Sequence, residues 1–252
     1  MQRSGRKAGS ATGMYSVPPS GNVGLKRSPF AMKTVCKKIK NELGISGLKT
    51  QEDYTVETPQ KYDGEIVTPV WPYRKGIANL RRIFRWFADN GVVTNETCGF
   101  HVNLSYKKIE RNWMMDPLRL ILCFNEEKWL KICKREGNDY TECYMDDLII
   151  SSSRKRFVDD GEVYKWINTK IEDLSIGGKY RTVALDRLED DNPYIEYRCL
   201  GGVGYHLRPN VMFKAIIDMA NNMDRALPDA RGTGFMTVKV KECFLHKSSV
   251  PH

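Results

Sequence analysis

A chain of 252 residues, 41% of them hydrophobic and 28% charged, is long enough to bury one sizeable core and is composed like a soluble globular protein. No run of 18 apolar residues occurs, which excludes a transmembrane helix and leaves no membrane partner to expect; Arg3, Arg6 and Lys7 are followed by no apolar stretch, which argues against a secretory signal. The net charge of +9 is concentrated, because residues 1–48 hold nine Lys and Arg against one acid, Glu42, and the remainder is almost neutral.

Residues 1–29 are rich in Gly, Ser, Pro and basic side chains, with Pro18-Pro19 and Ser20-Gly21-Asn22 as breakers. Such a segment buries too little apolar surface to offset its ordering entropy and reads as a flexible basic arm. Phe30, Met32, Val35, Cys36, Ile39 and Leu43 then recur at partly helical spacing, with Gly44 as a stop. Lys33, Lys37, Lys38 and Lys40 lie mostly off that stripe, as a solvated face or as a surface for an anionic partner. Nucleic acid or other protein subunits, reached through residues 1–40, are the partners this charge would suit. Residues 30–52 form a helical and connecting segment, and residues 53–252 the main domain. Within the connection at 44–62, Tyr54-Thr55-Val56 has the composition of a short strand.

Asp63-Gly64-Glu65-Ile66-Val67-Thr68 reads as a strand, ended by Pro69 and Pro72, neither of which could continue a central ladder. Ile77, Leu80, Ile83, Phe84 and Phe87 then predict a helix with Arg81, Arg82 and Arg85 on its other face and Gly91 closing it. The next strand sets Phe100, Val102 and Leu104 on one face and His101, Asn103 and Ser105 on the other, toward a cavity or toward water. The order strand, helix, strand suits a crossover between neighbouring strands.

Asp116-Pro117 is an N-cap and first-turn proline that opens a helix to about residue 135, with Leu118, Ile121, Leu122, Trp129 and Cys133 as its core stripe. Residues 139–161, acidic and hydroxyl-rich, suit loops and short turns, and a short helix follows at 162–171. Residues 179–185 predict a strand that pairs as a hairpin with the strand 193–200, on which Glu196 and Arg198 share a face. Gly201-Gly202-Val203-Gly204 would let backbone approach a ligand, but without a helix directly behind it is no phosphate loop. A last amphipathic helix spans 210–227, and residues 234–240 have the pattern of an edge or tail strand. The seven cysteines include no Cys-x-x-Cys pair and read as free thiols of a reducing compartment. Cys98, just ahead of the His101 strand, is either a small buried residue or a thiol beside a site.

Glu65, His101 and Glu196 each stand on a strand between apolar neighbours. If the three strands pair in one sheet, two carboxylates and an imidazole gather on one surface, in outline a divalent-cation site better suited to Mg²⁺ or Mn²⁺ than to zinc. The order Gly64-Glu65-Ile66-Val67-Thr68-Pro69, a helix, Cys98-Gly99-Phe100-His101-Val102-Asn103, then Lys179-Tyr180-Arg181-Thr182-Val183 and Tyr194-Ile195-Glu196-Tyr197-Arg198 resembles the amidoligase family over residues 53–227. That family is similar to glutamine synthetase and glutamate-cysteine ligase. The resemblance implies an α+β fold, mainly an antiparallel sheet of the glutamine-synthetase-like type with helices packed on one face and the site on the other. It implies ATP-dependent joining of an amine to a peptide or protein carboxylate through an acyl phosphate, with ATP and Mg²⁺ (or Mn²⁺) required. By motif position Glu65, His101 and Glu196 are the metal ligands, Arg198 and Arg181 the catalytic, phosphate-facing arginines, and Asn103 joins Arg198 in holding the nucleotide. A cytoplasmic location is implied, in the host cytoplasm or a virion if the chain is phage-encoded.

One feature departs from the family pattern. Similar members usually begin with a strand bearing Gly-x-Glu-x-Glu, and nothing before residue 50 matches it. Fewer acids weaken multi-metal binding, so the alternative is a catalytically inactive fold serving as a structural or assembly component with a basic N-terminal arm. In that case Arg198 is simply the ion-pair partner of Glu196.

Overall fold

The computed structural model describes residues 6–12, 31–51, 65–139, 141–153, 155–175 and 180–228. Among the described residues the strands are β1 (Arg6–Thr12), β2 (Lys49–Gln51), β3 (Glu65–Val67), β4 (Trp71–Pro72), β5 (Gly99–Tyr106), β6 (Val183–Ala184) and β7 (Ile195–Gly201). Five of them form one sheet in the order β4-β1-β5-β7-β6, every neighbour antiparallel, while β2 and β3 pair separately. The helices are α1 (Ala31–Leu43), α2 (Tyr73–Asp89), α3 (Ile109–Trp113), α4 (Pro117–Leu122), α5 (Glu126–Cys133), α6 (Tyr144–Ser152), α7 (Asp160–Ser175) and α8 (Pro209–Arg225). The class is α+β with a small antiparallel sheet.

The helix periodicities of α1, α2 and α8 place their apolar stripes in the core. Cys36 and Ile39 are buried while Lys37, Lys38 and Lys40 are exposed, and Gly44 ends α1 at φ +61°. Phe84 on α2 is the meeting point of four elements. It packs edge-on to Phe100 of β5 at 5.4 Å and to Tyr205 at 5.8 Å, and stacks with Phe213 of α8 at 6.0 Å. Each such pair adds about 0.5–1.5 kcal/mol beyond buried area. Behind β7, the Tyr197 hydroxyl donates to the Met219 carbonyl and receives Asn222 Nδ2 at 3.2 Å, so the buried hydroxyl is paired both as donor and as acceptor.

Strand β5 alternates as its sequence requires: Phe100, Val102, Leu104 and Tyr106 are buried, and His101, Asn103 and Ser105 are partly open. Pro72 is tolerated because β4 is an edge strand. The hairpin of residues 179–185 with the Glu196 strand is present as β6 and β7, but β6 is only two residues long, with an isolated bridge at Arg181 to Glu142.

Several expectations are corrected. Arg6–Thr12, placed in a flexible arm, is a strand between β4 and β5, pairing Arg6 with Tyr106 and Thr12 with His101. The rest of residues 1–29 lies outside the described residues, as do Tyr54-Thr55-Val56 and residues 234–240. Part of the connection at 44–62 is strand β2. The crossover through α2 links β4 to β5, parallel strands with β1 inserted between them, so the two are not neighbours. The helix expected from Pro117 to residue 135 is two helices, because Asn125 accepts the Lys128 N–H at 3.0 Å and caps a new start. Residues 144–152 form α6 where loops were expected, and α7 extends beyond 162–171 in both directions.

Candidate active site

The open face of β5 and the facing residues of β7 assemble one compact polar cluster. His101 Nδ1 lies 3.1 Å from Glu196 Oε1, and Arg198 Nη1 donates to the same oxygen at 3.0 Å. Asn103 stands opposite Glu196 in the ladder. All three charged or titratable side chains are mostly shielded, with 19% of His101, 19% of Glu196 and 15% of Arg198 exposed. The ladder between β5 and β7 shifts register between Phe100 and Val102, and this irregularity sits where His101 passes Arg198 and Cys199. Such bulges re-aim side chains next to sites.

The electrostatics are one-directional. Burial pushes His101 below the ordinary histidine value, and Arg198 adds to that against the Glu196 hydrogen bond. Burial works to raise Glu196, but the hydrogen bond from His101 and the Arg198 guanidinium outweigh it and leave the carboxyl below its usual range. At neutral pH the pair is therefore an ionised carboxylate and a neutral imidazole. Because a carboxylate only accepts, Nδ1 carries the proton and Nε2 keeps its lone pair. That nitrogen overhangs Gly99: a Cβ there would stand 2.7 Å from it, so the glycine keeps the space open.

Glu65 is not brought into this cluster. Its strand pairs with β2, Gln51 opposite Glu65, in the separate two-stranded sheet, rather than with β5 or β7. Among the described residues no three His, Cys, Asp or Glu side chains are grouped to hold a metal. Arg181 is engaged elsewhere: it donates to Asp147, lies 3.4 Å from Glu142, and covers the Tyr144 ring at 5.2 Å. Glu142 and Asp147 line a cleft of about 410 Å³ together with Glu127, Glu136, Asp139 and Asp146. Neither His101 nor Glu196 lines it, and its carboxylates would repel phosphate.

The donor set fits a cation carried by a nucleotide better than a protein cage. Mg²⁺ retains waters and is commonly held through one or two carboxylates plus substrate phosphates, and Glu196 beside Arg198 offers that combination. His101 Nε2, over the space Gly99 leaves, is the second available donor.

Two residues that matter carry no sequence signal. Arg135 is 2% exposed and donates through Nη1 to the Cys98 carbonyl at 2.6 Å. Glu126 is 1% exposed and accepts from Thr182 Oγ1 and from the Tyr144 N–H. In the sequence Glu126 falls inside the helix expected from Pro117 and Arg135 at its end, and neither stands out. The glycines that suggested ligand approach instead let chain segments meet: a Cβ on Gly201 would fall 2.2 Å from the Cys98 carbonyl, and one on Gly202 2.5 Å from the Cys133 carbonyl. Cys98 itself is buried, its thiol donating to Asn95 Oδ1 at 3.2 Å.

No curated protein matches the chain. The model of the family described as "Putative amidoligase enzyme" matches residues 42–202, a span that contains Glu65, His101, Asn103, Arg135, Arg181, Glu196 and Arg198. With well over half of its length in that match, the chain belongs to this amidoligase family.

Proposed function

We propose that this amidoligase is an ATP-dependent carboxylate–amine ligase of the glutamine-synthetase-like type, joining an amine to a peptide or protein carboxylate. The observation that carries the reading is the Glu196 carboxylate held between His101 and Arg198 on the open face of β5 and β7, inside the span shared with the family. In the reaction an oxygen of the substrate carboxylate bonds to the γ-phosphorus of ATP as the bond to ADP breaks. The amine nitrogen then attacks the acyl carbon, phosphate leaves, and the amine gives up a proton. Arg198 is the side chain for phosphate oxygens, as a fork that meets two of them. Glu196 and His101 would hold Mg²⁺ or Mn²⁺, which supplies charge neutralisation on the transferring phosphoryl group. Neutral His101 also offers Nε2 as a base toward the incoming amine.

A second reading, a fold kept for assembly without the chemistry, is favoured by one observation. The described residues bring a single carboxylate to the cluster, and Glu65 stands in another sheet. Glu52, Asp53 and Glu57, the nearest acids in sequence that could complete a metal set, lie outside the described residues.

Calorimetric titration of the full chain with Mg²⁺–ATP and Mn²⁺–ATP separates the two readings. Binding that disappears in Glu196→Gln, with the fold retained and a loss of about 1–2 kcal/mol in stability, supports the ligase. Silence of the parent chain with both metals leaves the assembly reading.

A further inference from the structure

Among the described residues, the guanidinium of Arg135 is buried without a carboxylate partner. Only 2% of the residue is exposed, no ion pair involves it among the described residues, and its Nε has no hydrogen-bond partner. A buried cation with no counter-charge is expensive to keep, and a second cation nearby makes the cost higher. Burial lowers its pKa, and the nearby Arg198 acts in the same direction. Three buried cysteines, Cys98, Cys133 and Cys199, surround it in place of acids. Burial holds Cys133 and Cys199 as thiols, so they bring no negative charge.

What the arginine does hold is backbone. The Cys98 carbonyl accepts both Arg135 Nη1 at 2.6 Å and the Gly202 N–H at 2.8 Å. Those bonds tie the entry of β5 to the exit of β7, at the point where Gly99 pairs with Gly201. A Cβ on Gly201 would come 2.7 Å from Arg135 Nη1, so the guanidinium is seated in the gap the glycine leaves. Two residues further along β5 is His101, its ring leaning back over Gly99. The backbone of α5 aims the side chain there. Lys134 ends the helix in the left-handed region at φ +53°, and the Arg135 N–H returns to the Leu130 carbonyl at 2.9 Å.

We infer that Arg135 is a positioning residue: by clamping the Cys98 carbonyl between α5 and Gly202 it fixes the start of β5, and with it the orientation of the His101 imidazole toward Glu196. The inference rests on the reading of His101, Glu196 and Arg198 as the site, and it predicts that the acid-free burial of Arg135 is kept for geometry there rather than for stability. Outer partners that orient a ligand residue typically change metal affinity on the order of 10- to 100-fold when removed.

The test uses the full chain with selectively ¹⁵N-labelled histidine and tryptophan. In the parent protein, long-range nitrogen–proton spectra at fixed neutral pH are expected to show His101 as a single tautomer protonated on Nδ1. In Arg135→Met its resonances are expected to move toward the tautomer mixture of a free imidazole, while the Trp86 indole N–H, bonded to Glu42 at 2.6 Å, stays in place. Movement of both signals means general loosening and overturns the proposal, as do unchanged His101 resonances in a folded variant. Should Arg135→Met fail to fold, Arg135→Gln takes the same reading, because its amide is two atoms shorter than the guanidinium that meets the Cys98 carbonyl; unchanged His101 resonances there overturn the proposal equally. A second arm measures Mn²⁺ affinity, expected to fall about 10-fold or more in the folded variant. If the parent chain binds no Mn²⁺, the metal reading of the site fails while the imidazole spectra still decide the role of Arg135. If it binds and the variant binds equally well, the positioning role fails and the metal site stands.

Discussion

Thr182 joins two elements at once: its hydroxyl donates to the buried Oε2 of Glu126 on α5, and its carbonyl accepts the N–H of Arg198 at 2.8 Å. The Glu126 carboxyl is therefore one residue away from the site strand. Burial pushes its pKa up to about 8, with Asp146 adding to the rise against the Tyr144 N–H, Cys143 and Arg181. An acid whose folded pKa is raised keeps its proton when the unfolded chain has already lost it. Stability then falls as pH rises from about 4.5 and levels off above about 8, with a slope of up to ~1.4 kcal/mol per pH unit. Glu126→Gln is expected to flatten that slope and to be more stable than the parent at the alkaline end. Denaturant titrations across this range check it, and parallel slopes in the two proteins would refute it.

Arg181 separates a structural from a phosphate-facing role. Its side chain is already committed to Asp147 and Glu142, both partly exposed, so Arg181→Met is expected to cost about 1–3 kcal/mol. Its effect on Mg²⁺–nucleotide affinity should stay within about twofold, far below the 10-fold step that one lost charge-assisted contact would give. A tenfold or larger loss of binding in a folded Arg181→Met protein would return this arginine to the site.

Two glycines at the same strand ends should respond very differently to a methyl group. At Gly99 the added Cβ meets the tip of the His101 ring, which can swing, so Gly99→Ala is expected to cost about 1 kcal/mol of stability while weakening any metal or nucleotide binding. At Gly201 the Cβ would fall 2.2 Å from the Cys98 carbonyl, on a residue at φ +134°. Both the clash and the backbone conformation oppose it, and Gly201→Ala should lose about 3–5 kcal/mol or fail to fold. Melting curves of the two variants make the comparison; equal losses would contradict the packing described here.

Lys134 is the one described non-glycine residue with positive φ, at 53°. A side chain in that region costs about 1 kcal/mol, and glycine is the usual solution at such a helix end. Lys134→Gly is expected to raise stability by about 0.5–1 kcal/mol by chemical denaturation. A destabilised variant would mean that the lysine side chain contributes more than its strain.

Much of the local structure was legible because its physical causes are local. The stripe from Ile77 to Phe87 made α2, the alternation from Phe100 to Ser105 made β5 with His101 and Asn103 on the open face, and Asp116 capped α4 by accepting the Leu118 N–H at 2.9 Å. Glu196 and Arg198 could be read as sharing a face two residues apart, and they meet at 3.0 Å. Even the break at Asn125 was present in the residues, as a cap before Glu126 and Glu127 and as a gap in the apolar stripe between Leu122 and Trp129.

Beyond the β6–β7 hairpin, what the residues could not reveal was which strands pair. Arg6–Thr12 enters the middle of the sheet through backbone hydrogen bonds, which leave no pattern in side-chain type, so a basic, glycine-containing segment looked like an arm. Glu65 had the composition of a site strand, yet its partner is β2, and pairing over long separations is chosen by global packing rather than by the strand itself. The same holds for Arg135 and Glu126. A charged residue at a helix end is indistinguishable in sequence from a solvated one until the fold closes over it and removes its water. The sequence alone determined α2, α8, the open face of β5 and the likeness to its family; the tertiary structure decided that His101, Glu196 and Arg198 meet on that face while Glu65 pairs into another sheet, because chain-distant backbone pairing sets which strands lie side by side.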